Sequence, residues 1–245
     1  MMNGHRVSPL LQAPWVDVRI FRIDWLHCAD QGVTADYLGN LFVLISKRLP
    51  GRNIKLRTAE LWRLIQMGYT ARGIEDRLQN LIPTMLKQPK KTPKLRSSAA
   101  QCRALVPIAQ DLAQAHLRDG DPIEAAAKIG MGHLHQCYQA LSSGSIFAED
   151  ILLLNSSKFA LQYVALEDFT DDDPKAWRVK PKLHLFLELC SDGSKPAMYW
   201  NYRDEDFGGT VAALSKRRGG LLSVQAFSRN MLERFKIKQP VARIR

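Results

Sequence analysis

The stretch "FRIDWLHCADQG", near the start of the chain, places Asp24 three residues before His27. A second acidic group, Asp204, Glu205 and Asp206, lies in the last fifth of the chain. Phosphoryl transfer with divalent metals needs two or three carboxylates that converge on one point, often from distant parts of a sequence. Asp24, Glu205 and Asp206 are therefore candidate ligands for Mg²⁺ or Mn²⁺.

Both acidic stretches also have a simpler interpretation without a metal, and the residues alone do not decide between the two. A histidine beside the end of a strand is commonly a half-buried side chain that hydrogen-bonds a carbonyl or a carboxylate. In that case Asp24 and His27 only end a strand and brace each other. Acidic residues in the first turn of a helix favour the helix macrodipole without any metal, which would account for residues 204–206.

The charge is distributed unevenly along the chain. Of the total of +11, residues 1–103 carry +10, residues 104–175 carry −7 and residues 215–245 carry +8. Clustered lysine and arginine attract polyanions because neutralised phosphates release condensed counterions. The segments "KQPKKTPKLR" and "SKRRGG" predict the nucleic-acid contacts, which are Lys87, Lys90, Lys91, Lys94, Arg96, Lys216, Arg217 and Arg218. A solvated basic surface is the alternative.

The elements that must position these residues are mostly helical. The alternation of Val16, Val18 and Ile20 with polar residues predicts one strand, roughly at 16–23, that ends at Asp24. Capping residues, prolines and apolar spacing predict helices at roughly 34–49, 58–68, 70–83, 98–112, 122–141, 148–166, 183–189, 207–214 and 223–235. The pair joined at Gly68 could be a DNA-reading helix-turn-helix, although an ordinary helical hairpin is commoner.

Cysteine spacing and hydropathy narrow the class of protein. The four cysteines are widely scattered, which indicates reduced thiols rather than a disulfide framework or a zinc knuckle. No apolar run approaches the ~20 residues that are needed to cross a bilayer. We therefore expect an intracellular protein, nuclear if it binds DNA, with no membrane partner.

The order of these motifs resembles the C-terminal half of eukaryotic cut-and-paste transposases of the CACTA and Kyakuja–Dileera–Zisupton groups. The resemblance is carried by "DWLH", "YLGNLFVLI", "PKLHLFLEL" and "YWNYRDEDFGG". It implies an RNase H-like core with an acidic triad that binds two divalent metals, interrupted by a helical insertion. It also implies that Asp24 and His27 are the family's [C/D]-x-x-H signature and that Glu205, or Asp206 in its place, is the third catalytic acid.

The chain departs from this family pattern at its start. The first two catalytic acids should precede the D-x-x-H signature, but Asp17 is the sole acid before Asp24. The resemblance therefore implies a truncated transposase with an incomplete triad, unless an oligomer or a second chain completes it.

These observations together predict a mostly α fold with a small β element, a partial RNase H-like core. The expected organisation is a tail at 1–14, core at 15–49, a helical insertion at 50–173 with its basic loop at 87–96, core again at 174–236 and a basic tail at 237–245. The expected function is that of a transposase-derived, catalytically incomplete protein that binds nucleic acid, with DNA favoured. The alternative is a non-enzymatic helical scaffold whose basic ends bind RNA or an acidic protein.

Overall fold

A computed structural model describes residues 22–142, 148–170 and 176–202, together with 205, 207–209, 212, 229 and 233. The chain divides into two units, Met1–Tyr199 and Trp200–Arg245, and most described residues belong to the first. The described helices of the first unit are a π-helical segment Leu26–Thr34, α1 Ala35–Ser46, α2 Ile54–Arg72, α3 Pro83–Leu86, α4 Ala99–His116, α5 Pro122–Ser142, α6 Glu149–Asp168, α7 Pro181–Ser191 and a short 3₁₀ helix Pro196–Met198. Within the described ranges, none of these helices is long and apolar enough to cross a membrane.

The predicted partial RNase H-like core is wrong for the part of the chain that the structure describes, where no residue is in a strand. Residues 16–21 of the predicted strand lie outside the described residues, whereas Arg22 and Ile23 are irregular and a helix begins at Trp25. A strand needs a neighbour that completes its backbone hydrogen bonds, and alternation over a few residues does not supply one. The described neighbours are helices.

The helix that runs from the π-helical segment into α1 forms the centre of the first unit. Almost every residue from Trp25 to Phe42 is buried, on all sides of the helix, which is typical of a helix enclosed by others. The segment contacts α4 and α7, and α1 contacts α2, α3 and α4. Thr34, predicted to cap this helix, lies inside it, and its hydroxyl hydrogen-bonds the Tyr138 hydroxyl of α5 at 2.7 Å.

Aromatic side chains from distant segments fill the space around this central helix. Tyr37 of α1 lies 5.0 Å from Phe159 of α6 and 5.1 Å from Trp177, measured between ring centroids. Trp25 lies 5.6 Å from Phe186 of α7 in an edge-on arrangement. Such pairs each contribute about 0.5–1.5 kcal/mol beyond the burial of their area.

The predicted break between two helices at Gly68 is also wrong. Helix α2 is continuous through Gly68 and ends only at Gly73, whose φ of 61° is the left-handed conformation that glycine adopts readily. A glycine inside a helix costs about 1 kcal/mol, which tertiary packing can offset. A Cβ at Gly68 would approach Ile108 of α4 to 2.9 Å, so the glycine permits close contact between α2 and α4. A helix-turn-helix is therefore absent from residues 54–73.

The basic loop predicted at residues 87–96 packs against α1 rather than extending into solvent. Its backbone approaches so closely that a Cβ at Gly39 would lie 2.5 Å from Lys94 N and 2.6 Å from Leu95 N. Leu95 is buried, and its N–H donates to the Ala35 carbonyl at 2.8 Å. Gly39 thus provides the space in which the loop is seated.

We expect that Gly39→Ala lowers the free energy of unfolding by about 1–3 kcal/mol, because the new methyl group overlaps loop backbone that cannot rotate away. Chemical denaturation monitored by circular dichroism measures this change. The matched control is Gly132→Ala in α5, where the nearest atom would be 3.8 Å away. In that variant the free energy of unfolding should rise by roughly 0.5–1 kcal/mol, because alanine has a higher helix propensity than glycine. The same sign for both variants would contradict the packing of the loop on α1.

Candidate functional site

A basic cleft of about 770 Å³ lies between the loop that follows α3, the central helix and the start of α7. Five of the residues that line it are cations, and none of the lining residues is acidic or aromatic. The cations are Lys90, Lys91, Lys94, Arg96 and Lys180, and the remaining lining residues are Gln31, Ala35, Gln88, Thr92, Leu95 and Ser97. We call this feature the basic cleft.

Backbone hydrogen bonds determine which way the loop presents its cations. The N–H groups of Lys94 and Arg96 donate to the Leu86 and Met85 carbonyls at 2.8 and 2.9 Å, so the loop pairs with the end of α3. Successive side chains of an extended segment point to opposite sides. Because Leu95 is buried in the core, Lys94 and Arg96 on either side of it are exposed at the cleft.

One further feature of the loop is the backbone of Lys90. Its φ of 58° is a left-handed conformation that is uncommon for a residue with a Cβ. Such residues tend to lie where the surrounding structure imposes the conformation, often at ligand sites. The strained lysine lies among the lining residues of the basic cleft.

A buried carboxylate lies beneath two of the cations. The Asp36 side chain is 5% exposed, and its Oδ1 lies 2.9 Å from Lys180 Nζ and 3.8 Å from Lys94 Nζ. Oδ1 has no hydrogen-bond partner, so its contacts with the two lysines are ion pairs without a hydrogen bond. Lys94 Nζ also donates to the Gln31 carbonyl at 2.6 Å. Asp36 therefore holds two lysines at the cleft while it neutralises only one of five positive charges.

Lysines at the start of α7 extend the positive potential beyond the cleft. Lys180 is the N-cap residue of α7 and Lys182 lies in its first turn, which contains no acidic residue. Cations at a helix N-terminus oppose the macrodipole, so this arrangement costs helix stability and favours an incoming anion. Lys182 Nζ donates to the His27 carbonyl at 2.7 Å, which places it against the π-helical segment.

The structure brings together only part of the predicted basic set. Lys90, Lys91, Lys94 and Arg96 line the cleft, whereas Lys87 is exposed outside its lining. Lys216, Arg217 and Arg218 lie outside the described residues. Sequence reasoning missed Lys180, although the "KPK" of residues 180–182 marks a basic turn, because the sequence does not show that this turn meets the loop.

Asp24 and His27 lie at the start of a helix, not at the end of a strand. The Asp24 carboxylate accepts the N–H of Leu26 at 3.3 Å and of His27 at 3.1 Å, and its carbonyl accepts the N–H of Cys28 at 3.0 Å. This is the hydrogen-bond pattern of an N-cap residue. The Nδ1 atom of His27 also lies 2.6 Å from Asp24 Oδ2. The D-x-x-H spacing is therefore that of an N-cap and the third helical residue.

Both carboxylate oxygens of Asp24 accept hydrogen bonds from the chain, and each such bond uses one of the two lone pairs of that oxygen. Glu205 belongs to the second unit, where it is helical, exposed and donates its N–H to the Asn201 carbonyl at 2.9 Å. Asp206 lies outside the described residues. Among the residues that are described, no three His, Cys, Asp or Glu side chains are grouped so that they could hold a metal. The Mg²⁺ or Mn²⁺ site stays a prediction.

The chain was compared with protein-family models, curated proteins and solved structures, and nothing matched in any of the three comparisons. The resemblance to transposases therefore stays a prediction.

We expect that Asp24→Ala lowers the free energy of unfolding by about 1 kcal/mol, the usual effect of removing an N-cap side chain. Asp24→Asn should be close to neutral, since asparagine caps a helix as well as aspartate does. Urea denaturation of the three proteins measures the difference. The capping role would be contradicted if Asp24→Asn lowered the free energy of unfolding as much as Asp24→Ala does. A Tm that Mg²⁺ raises in the wild-type protein but not in Asp24→Asn would instead support the predicted metal site.

The four cysteines do not offer a nucleophile at neutral pH. All four are buried free thiols. Burial raises the pKa of Cys28 from 9.0 to about 11 and that of Cys190 to about 12. It also raises the pKa values of Cys102 and Cys137 well above the ordinary range. Because the thiolate is the reactive form, we expect these thiols to be unreactive while the protein is folded.

We expect the native protein to react slowly with iodoacetamide at pH 8 and all four thiols to react on unfolding. The folded state favours the protonated thiols, so their contribution to stability is complete below about pH 9. It decreases as the pH rises towards 11, where unfolded thiols ionise and folded thiols do not. Mass spectrometry of the labelled protein tests the reactivity of the thiols. Chemical denaturation below about pH 9 and near pH 11 tests their contribution to stability. Rapid labelling of native Cys28 at pH 8 would contradict it.

Proposed function

We propose that the protein binds nucleic acid, with DNA as the favoured ligand, through the basic cleft. The observation that carries the proposal is the convergence of Lys90, Lys91, Lys94, Arg96 and Lys180 on one cleft without an acidic residue in its lining. The buried carboxylate of Asp36 pairs with only two of the five cations, Lys94 and Lys180, so the cleft keeps an excess of positive charge. A polyanion that neutralises this charge gains free energy from released counterions.

The chemistry of the lining favours contact with phosphates rather than with bases. Proteins that grip single strands place aromatic side chains where successive bases can stack. The lining of the basic cleft is instead lysine, arginine and small polar side chains. Such groups contact the sugar-phosphate backbone and carry little sequence information. The proposed binding is therefore largely independent of sequence, and the resemblance to transposases supports DNA as the first ligand to test.

The proposal includes no catalytic step. Asp24, which the resemblance assigns to the catalytic signature, caps a helix in the first unit. Binding alone is consistent with a transposase-derived protein that has lost its chemistry, and it requires no metal. The non-enzymatic scaffold that binds RNA or an acidic protein would use the same cations, so the experiment must separate these ligands.

We expect the triple variant Lys90→Gln, Lys91→Gln, Arg96→Gln to bind a labelled duplex DNA at least about tenfold more weakly than the wild type. The slope of log K against log salt should become shallower by about 3, because each lost phosphate contact removes roughly 0.9. Fluorescence anisotropy between low and moderate salt measures both quantities. All three substitutions are on exposed residues, so circular dichroism should show an unchanged fold.

The matched control is Lys47→Gln, Arg52→Gln, Lys55→Gln, which removes the same charge from exposed residues between α1 and the start of α2. Its affinity should stay within about threefold of the wild type, because long-range charge effects are screened over about 10 Å. Equal losses in both variants would contradict the cleft and indicate attraction by net charge. Wild-type binding that is insensitive to salt would contradict nucleic acid itself. Preference for RNA or polyglutamate over DNA would favour the scaffold alternative.

A further inference from the structure

Helix α6 is apolar on two opposite faces, only one of which the described structure covers. Its inner face buries Leu152, Phe159, Tyr163 and Leu166 where the helix packs on α5 and α7. Large apolar side chains also project from the outer face, and these are Ile151, Leu153, Leu154, Leu161 and Val164. A helix that is apolar all round is normally enclosed on all sides. The outer face of α6 therefore has the composition of an interface.

The most exposed members of this face form a line along the helix. Leu154 is 54% exposed and Leu161 is 69% exposed, and their separation of seven residues is two helical turns. Single exposed apolar residues are ordinary, but several on one side of a helix mark an interaction surface. The turn between Leu154 and Leu161 carries the exposed Ser157 and Lys158. Asp150 and Asp168 lie on the same side of the helix, one near each end of this row. The outer face thus presents two exposed leucines, with a carboxylate near each end of the helix.

The bracketing acids indicate what occupies this face. In a symmetric pairing of α6 with α6 of a second copy, Asp150 would meet Asp168 of the other copy in the antiparallel centred register. In a parallel pairing it would meet the equivalent Asp150. Both arrangements oppose like charges at both ends of the contact. Helix α6 itself carries four acidic residues and one lysine, a net charge of −3, which repels a second copy and attracts cations.

We propose that the outer face of α6 binds a basic amphipathic helix of another protein. The leucines of the partner would cover Leu154 and Leu161, and lysine or arginine residues near its ends would pair with Asp150 and Asp168. Such helix-in-groove contacts are read through apolar anchors at spacings of three, four and seven residues. Lys158, on the edge of the row, meets an acidic residue of the partner or extends its ammonium group into water. This site is separate from the basic cleft and does not depend on its function.

The probe is a synthetic amphipathic helix of about 20 residues, matched to the 20 residues of α6, with leucines on one face and lysines at both ends. A second peptide has the same leucines and glutamates at its ends. Fluorescence anisotropy with the full chain should show binding of the lysine peptide and at least tenfold weaker binding of the glutamate peptide. Absence of binding, or equal binding of the two peptides, would overturn the proposal.

Variants of the protein test the residues of the face. The double variant Leu154→Ser, Leu161→Ser should bind the lysine peptide at least tenfold more weakly than the wild type. The control Met67→Ser changes an equally exposed residue of α2 and should leave the affinity for the peptide unchanged. Asp150→Lys with Asp168→Lys should reverse the preference, so that the glutamate peptide binds more tightly. Loss of affinity in Met67→Ser, or an unreversed preference, would overturn the assignment. So would a dimer in sedimentation experiments that dissociates in the leucine variant, because that result assigns the face to a second copy.

Discussion

The close contact between α1 and the loop that follows α3 is the constraint on which the rest of the first unit depends. It exists because Gly39 has no side chain and because Leu95 is buried with its N–H on the Ala35 carbonyl. Without this contact, a segment with five cations and two prolines would be solvated and mobile. The buried leucine supplies the apolar contact that a charged loop lacks. Leu95 also positions its neighbours Lys94 and Arg96 at the cleft. The same buried residue therefore packs the loop on α1 and exposes its cations.

The same region accepts electrostatic costs that packing alone does not require. Asp36 is almost fully buried beside Lys180 and Lys94, and such a pair recovers its desolvation cost only with good geometry. Lys180 and Lys182 also oppose the dipole of α7. Costs of this kind concentrate at functional sites, where a ligand relieves them. A phosphate at the basic cleft would relieve both the repulsion among lysines and their unfavourable position at the helix start.

Local signals predicted the elements better than they predicted their assembly. The helix predicted from residue 98 is confirmed as α4, where Ser98 forms a capping box with Gln101, whereas α7 begins at Pro181, two residues before its predicted start. The errors arose where two principles compete. Alternation from Val16 to Ile20 predicted a strand that ends at Asp24, but the hydrogen bonds of residues 26–28 show that Asp24 caps a helix. Likewise Gly68 breaks an isolated helix, yet contact with α4 stabilises it within α2. The sequence predicts the four cations of the cleft that lie in the basic loop. It does not predict the fifth, Lys180, because residue 180 meets residues 87–97 only through the tertiary fold.

The separation of charge along the sequence corresponds to the separation of the two proposed binding surfaces in the first unit. The cations of residues 87–96 line the basic cleft, whereas α6 belongs to the acidic stretch of residues 104–175. A polyanion is attracted to the first surface and repelled by the second, so it approaches in one orientation. In the proposed binding mode, the outer face of α6 would stay open while the cleft is occupied. A partner helix with basic ends has the opposite preference, because the cations of the cleft repel its basic ends. Opposite charge thus keeps the two surfaces from competing for the same ligand, and higher salt weakens this selectivity at both.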